Sequence, residues 1–177
     1  MQFHRDVDGL GRVTQERHTA ESDPATPTTP RCRVTGGQVY NHKGLVIRAY
    51  QPTFSANSAY EAAPIDVPSI QTTYDPLGRP LRVDHPDGTF ETTDYHPWVR
   101  TVSDRNDNAG GITSADSRYG VVLPTFRTHV STPTRVYFDA LGREIAVAED
   151  NGAGLTQAMR IPPTRSEPGS LRARPMI

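Results

Sequence analysis

The octapeptide Asp-Arg-Asn-Asp-Asn-Ala-Gly-Gly that begins at Asp104 carries the oxygen donors best suited to a hard cation. Asp104, Asn106 and Asn108 fall at positions one, three and five of a twelve-residue calcium loop. Position six is Ala109 where that loop turns on glycine, and position twelve is Ala115 where it needs a bidentate glutamate. Without that carboxylate the segment reads as an Asx-rich turn. Asp6 with Asp8, and Asp84 with Asp87, could be drawn as acid–base pairs. Both pairs lie at turns, where carboxylates cap backbone amides, and nothing nearby would drive their pKa values apart. His4, His18, His42, His85, His96 and His129 are dispersed, without metal-ligand spacing. Cys32 lies between Arg31 and Arg33, which favours a thiolate, but it has no histidine near it in sequence and reads as a bystander thiol. No nucleophile elbow, HExxH, P-loop or dinucleotide glycine motif occurs. The expectation is a non-enzymatic chain with no metal and no cofactor.

Composition narrows the class. The 177 residues carry a net charge of −1, which gives no electrostatic reason to expect nucleic acid or an anionic membrane as partner. A single cysteine excludes an internal disulfide framework. Mean hydropathy is −0.60, and sixteen Pro with fourteen Gly suit a turn-rich β protein rather than a helical bundle. No apolar run is long enough to span a bilayer as a helix, and the opening MQFHRDVDGLGRV lacks the apolar core of a signal peptide.

The elements that would hold these residues announce themselves as turns. DGLGR runs from Asp8 through Gly11 to Arg12, YNHKG from Tyr40 to Gly44, and YDPLGR from Tyr74 and Asp75 through Gly78 to Arg79. YHPWVR runs from Tyr95 to Arg100 with Trp98 inside it, and FDALGR from Phe138 and Asp139 through Gly142 to Arg143. In each full phrase Asp bonds a backbone N–H two residues on, and Gly takes the positive φ that leaves the turn. A further turn, His85-Pro-Asp87-Gly88, carries the Asp-Gly hairpin signal. Between turns the chain alternates. Leu81 and Val83 face one way and Arg82 and Asp84 the other, while Ile145 and Val147 oppose Glu144, Ala146 and Ala148. Residues 10–18, 38–50, 70–100 and 135–152 therefore read as strands and hairpins, Asn151-Gly152 closing the last, and helical periodicity is absent.

The fold class expected is all-β, built of consecutive hairpins, with a repeat region over residues 3–157. Residues 19–31 are Pro/Thr-rich and read as a loop, and residues 103–133 as a long insertion with one strand-like piece at 119–126. Residues 158–177 read as an unstructured Arg/Pro-rich tail. Trp98, the only tryptophan, is expected to anchor adjacent hairpins in the core rather than to stack on a sugar.

The ordered series DVDGLGRVTQERHTAE, VYNHKGLVIRAYQPTFSA, YDPLGRPLRVDHPDGTFETTDYHPW and VSDRNDN resembles the YD (Rhs) repeat region of the B component of bacterial insecticidal toxin complexes. The resemblance covers residues 3–157 and implies a secreted, mechanical role. In that family the repeats wind into a hollow β shell that encloses a cytotoxic polypeptide. The partners implied are the remainder of a larger shell and its enclosed toxin. The family's self-cleaving aspartate site lies in a part this chain does not contain, so no catalytic residue is carried over. The Arg/Pro-rich tail departs from the pattern and suggests a truncated or frameshifted reading frame. Open sheet edges and a lean core make the isolated chain marginal, partly disordered or self-associating. The alternative is a cell-surface or carbohydrate-binding β-repeat module. Burial of Tyr95 and Trp98 would favour the shell, and their exposure sugar contact.

Overall fold

A computed structural model describes residues 3–25, 28–62, 67–108 and 130–150, together with the backbone of 158–160. Among these residues there is no helix. Thirteen strands form two antiparallel sheets. Four strands, β1 (Phe3–Val7), β2 (Val13–Ala20), β3 (Arg31–Thr35) and β6 (Thr53–Ser55), make the smaller sheet in that order. The larger sheet holds β4 (Gln38–Tyr40), β5 (Val46–Tyr50), β7 (Ser69–Tyr74), β8 (Pro80–Asp84), β9 (Phe90–Tyr95), β10 (Val99–Ser103), β11 (Thr134–Phe138), β12 (Glu144–Glu149) and β13 (Ala158–Arg160). Its strands neighbour one another in chain order, with only β6 diverted to the smaller sheet. Such a meander needs only local connections, which is what a chain of short turn phrases can encode. The turns after β4, β7, β9 and β11 all lie on one rim.

Strand pairing runs past the boundary set at residue 157, because Ala158–Arg160 pair with Val147, Ala148 and Glu149. The first three residues of the expected tail are thus an edge strand. The loop expected over 19–31 is also shorter. Thr19 and Ala20 belong to β2 and Arg31 to β3, where they close the ladder Thr19↔Cys32 and Ala20↔Arg31. Ser103 ends β10 rather than opening the insertion. The strand-like piece at 119–126, His129, the Asn151-Gly152 turn and residues 161–177 lie outside the described residues.

The alternation read from sequence fails at two places for one reason. Thr73 pairs with Arg82 but Tyr74 with Pro80, so Leu81 is an extra, bulged residue. The same shift strands Ile145 between the pairs Tyr137↔Ala146 and Phe138↔Glu144, Ile47 in β5, and Thr14 in β2. A bulge changes the phase of the strand, and so Leu81 and Ile145 stay exposed while Val83 and Val147 are half-buried. In β12 the deeply buried residue is Ala148.

The core is lean. Among the described apolar residues only Val34, Val67, Val136 and Ala148 are buried. Between the two sheets a wedge of about 110 Å³ is lined by Val34, Gly37, Tyr50, Val67, Gln15 and Arg17 among others. Arg17 is 2% exposed. Its Nε and Nη2 donate to Gln15 Oε1 at 3.1 and 2.8 Å, and Nη1 donates to the Asn57 carbonyl at 2.6 Å. Glu61 Oε2 lies 3.9 Å from Nη2, so the buried cation ties the 56–62 segment across the wedge with each of its three nitrogens bonded.

The turns themselves depend on glycine. Gly11, Gly44, Gly78 and Gly142 have φ between 73° and 85°, and a Cβ on Gly78 would also stand 3.3 Å from Leu45 Cδ1. Alanine in that backbone region costs roughly 1–2 kcal/mol. Gly78→Ala should therefore lower the stability read from a urea titration by about that amount. Gly9→Ala, in open space at negative φ, should stay within roughly 0.5 kcal/mol of the parent. Equal effects at the two positions would contradict the assignment of strain to the turn.

Candidate functional site: the turn rim

The phrase Asp-x-Leu-Gly-Arg folds as a three-residue loop. In YDPLGR the Gly78 N–H donates to the Asp75 carbonyl at 3.0 Å, and the Asp75 N–H donates to the Arg79 carbonyl at 2.9 Å. Asp75 Oδ1 accepts the N–H groups of Leu77 and Arg79 at 2.9 and 2.8 Å, while Oδ2 accepts Arg79 Nε at 2.6 Å. One carboxylate thus caps the turn and holds the arginine that leaves it. Asp8 does the same with Leu10 and Arg12, and Asp139 with Leu141 and Arg143. Asn41 reproduces the backbone half alone. Its Oδ1 accepts Lys43 and Leu45 N–H groups at 2.9 and 3.0 Å, and the position of the arginine is occupied by Leu45.

Three arginines that end a phrase reach the next turn. The Arg12 guanidinium lies 4.2 Å from the Tyr40 ring centre, Arg79 4.1 Å from that of Tyr95, and Arg100 5.8 Å from that of Phe138. The half-buried aromatic ring at the head of a phrase is therefore the landing platform for the arginine at the end of the previous one. The phenols reach back as well. Tyr40 Oη donates to the Val13 carbonyl at 3.0 Å and Tyr74 Oη to the Val46 carbonyl at 2.8 Å. The Arg12–Tyr40 step crosses from the smaller sheet to the larger.

The Tyr95 phrase is the exception. Val99 stands where glycine should be, and a β-branched residue does not take positive φ. The turn closes one residue earlier, with the His96 N–H donating to the Val99 carbonyl at 2.9 Å and Arg100 directly opposite Tyr95. His96 replaces the aspartate, so Arg100 has no carboxylate beneath it and its Nε is buried without a partner. Trp98 is 58% exposed, which overturns the expectation of a core anchor. The third residue of a tight turn points away from the sheet, and no described element covers it. Tyr95, under Arg79, is half-buried.

On the opposite rim the His85 turn uses the same backbone loop, with Gly88 at φ 84°. There Asp87 accepts Thr89 N–H and Oγ1 at 3.0 and 2.6 Å and pairs with Arg105, while His85 meets Glu91 at 3.0 Å. Asp84 pairs with Arg82, so Asp84 and Asp87 serve different neighbours. Asp104 caps the Asn106 and Asp107 N–H groups at 2.8 Å, and Asn108 donates to the Phe90 carbonyl. The hub of this segment is Asp107, which sequence reading passed over. Its Oδ2 accepts Asp104 N–H, and its Oδ1 accepts Thr132 N–H and Oγ1 at 2.7 and 2.9 Å. It thereby pins the end of β10 to the approach to β11, a long-range pairing that no local motif encodes. Among the described residues no three His, Cys, Asp or Glu side chains converge. Cys32 is half-buried in β3 opposite Thr19.

Hairpins locked turn to turn along one rim define a repeat-built, all-β sheet. The same fold occurs in solved toxin-complex chains. The crystal structure of TcdB2-TccC3 matches 88% of this chain at 25% identity and a TM-score of 0.65. A TcdB2-TccC3-TEV structure matches 87% at 26% identity and 0.66, and a Photorhabdus luminescens Tc holotoxin pore matches 88% at 26% and 0.65. The chain spans about 8% of the length of each of them. No family model matches the sequence, and no curated protein does.

The locks carry a pH signature. Hydrogen bonds from the Arg12 side chain hold the Asp8 carboxyl below its usual 3.8, and the Arg143 N–H and guanidinium do so for Asp139. For Asp75, burial pushes the value up, but the bonds from Arg79 and Leu77 outweigh it. A carboxyl lowered in the folded state stabilises fully above its unfolded value and loses that effect as pH falls through the folded one. Acid titration followed by circular dichroism should therefore show rim hairpins loosening below about pH 4. Asp75→Asn, which keeps both backbone caps as Asn41 does, should destabilise less than Asp75→Ala and should reduce the acid sensitivity. An Asn variant as damaging as Ala would place the effect on the arginine rather than on the caps.

Proposed function

We propose that this chain is a non-catalytic segment of a secreted toxin-complex wall, one that helps to enclose a cytotoxic polypeptide. The observation that carries the reading is the match of the hairpin series, over nearly nine-tenths of its length, to part of the TcdB2-TccC3 chain. The physical design fits the role. Every titratable cluster on the rim is used internally as a turn lock, and each hairpin is held mainly by its neighbours, so length is gained by adding repeats. The partners in this reading are the rest of a larger repeat shell and the polypeptide it encloses. The sequence pattern of locked turns, not a cleft, is what such a wall needs.

One observation favours a second reading. Trp98 is exposed on the rim, which suits a carbohydrate-contacting repeat module. A chimaera separates the two. Residues 3–160 of this chain would replace the matching segment of TcdB2-TccC3, and the enclosed polypeptide would be assayed for resistance to trypsin. The wall reading expects a protected polypeptide in a folded chimaera, and no Trp98-dependent signal on a glycan array. Digestion of the polypeptide inside a chimaera that elutes and folds normally would reject it. Glycan binding abolished by Trp98→Ala would put the module first.

A further inference from the structure

We infer that the turn rim is a self-complementary docking surface whose occupant is a second copy of this chain. The leucine side chain of each full lock is not used by the lock. Leu10, Leu77 and Leu141 are 78%, 79% and 76% exposed, and Trp98 occupies the same place in its shorter turn. Behind three of the rim turns the bulged residues Ile47, Leu81 and Ile145 are exposed too. Monomeric proteins scatter apolar side chains singly, whereas a row at a fixed structural position marks an interaction surface.

Three features select the occupant. Turns on this rim of the larger sheet are two strands apart, so the side chains of Leu77, Trp98 and Leu141 recur at about 10 Å, Lys43 taking the equivalent place in the β4–β5 turn. A second rim of the same repeat, turned by a two-fold axis, presents the same period and can set its leucines between them. Charge permits that approach. Asp8, Asp75 and Asp139 are each bonded to the arginine of their own turn, and Lys43 Nζ donates to the Pro76 carbonyl of the neighbouring turn. Two rims would thus meet with the lock carboxylates already paired. Finally, covering the turn and bulge residues on both copies would remove on the order of 1,000 Å² from water, the lower bound for a specific interface. This inference does not rest on the wall reading, since it concerns the isolated chain.

The test uses the whole chain and its single tryptophan. Sedimentation velocity across the micromolar range should show a monomer–dimer equilibrium. In parallel, Trp98 emission should move to the blue and acrylamide quenching should fall as dimer forms. Leu10→Ser/Leu77→Ser/Leu141→Ser should weaken dimerisation by more than about tenfold with an unchanged far-ultraviolet dichroism spectrum. A chain that stays monomeric would overturn the inference, as would a dimer whose Trp98 remains fully quenchable, the signature of pairing through strand edges. A Trp98 spectrum that is blue at every concentration would also overturn it, because the rim would then be covered within one copy. These readings on the unaltered chain decide the matter even if the triple variant does not fold.

Discussion

The fold depends on one backbone constraint, a glycine in the left-handed region as the last residue of a three-residue loop. With Gly78 at φ 85° the chain can close both turn bonds, aim Asp75 at two N–H groups, and deliver Arg79 to the same carboxylate. The arginine then lies over the aromatic ring of the next phrase. Remove the glycine and the geometry shifts by a residue, as the natural Val99 demonstrates. There the loop shortens, no bulge follows, the aspartate is gone, and the arginine keeps only its ring. The Asp, Gly and Arg of the phrase are not three independent preferences. They act together in one device: where Gly is replaced at Val99 the aspartate is lost too, and where the arginine is replaced at Leu45 the carboxylate becomes an amide.

Asn41 separates the device into its parts. It keeps the amide caps and the glycine, exchanges the carboxylate for an amide, and has leucine in place of arginine. The link to the next turn survives in a different form, because Leu45 reaches toward Gly78 and the Tyr74 phenol bonds the Val46 carbonyl. The linkage between hairpins can thus be ionic-aromatic or apolar without altering the loop. Charge pairs on exposed turns are weak individually, which makes such exchanges cheap. The backbone caps are the part that every full phrase retains.

What can be read along the chain follows from how local each feature is. A turn of five residues is specified by the five residues in it, so the all-β class and the series of hairpins are visible without a structure. Phase within a strand is not local. The bulges at Leu81 and Ile145 involve the partner strand, and an alternating pattern alone cannot place them. β3 and β6 have no flanking hairpin phrase, and their sheet exists only because β6 crosses to pair with β3. Arg17 reads as an exposed charge in a strand, yet it is the most buried large side chain among the described residues, since the wedge that holds it is closed by segments remote in sequence, Asn57 lying 40 residues on. Asp107 likewise works on Thr132, 25 residues on. Trp98 is exposed although a large ring suggests a core, because its place in a tight turn dictates exposure.

These observations change which part of the molecule counts as continuous. The hydrogen-bonded sheet is interrupted between β2 and β4, where β3 and β6 intervene on one side and a wedge opens. The rim is not interrupted there. Arg12 lies over Tyr40, the Tyr40 phenol bonds the Val13 carbonyl, and Gly44 leaves room for the Arg12 guanidinium. The contact shares its guanidinium-over-ring geometry with the Arg79–Tyr95 step and its phenol bond with the Tyr74–Val46 step, both inside the larger sheet. A sheet that admits loops and diverted strands cannot rely on an unbroken backbone ladder. Side-chain locks at one rim let neighbouring hairpins stay in register while the strands beneath them part, and they do so with almost no buried apolar core.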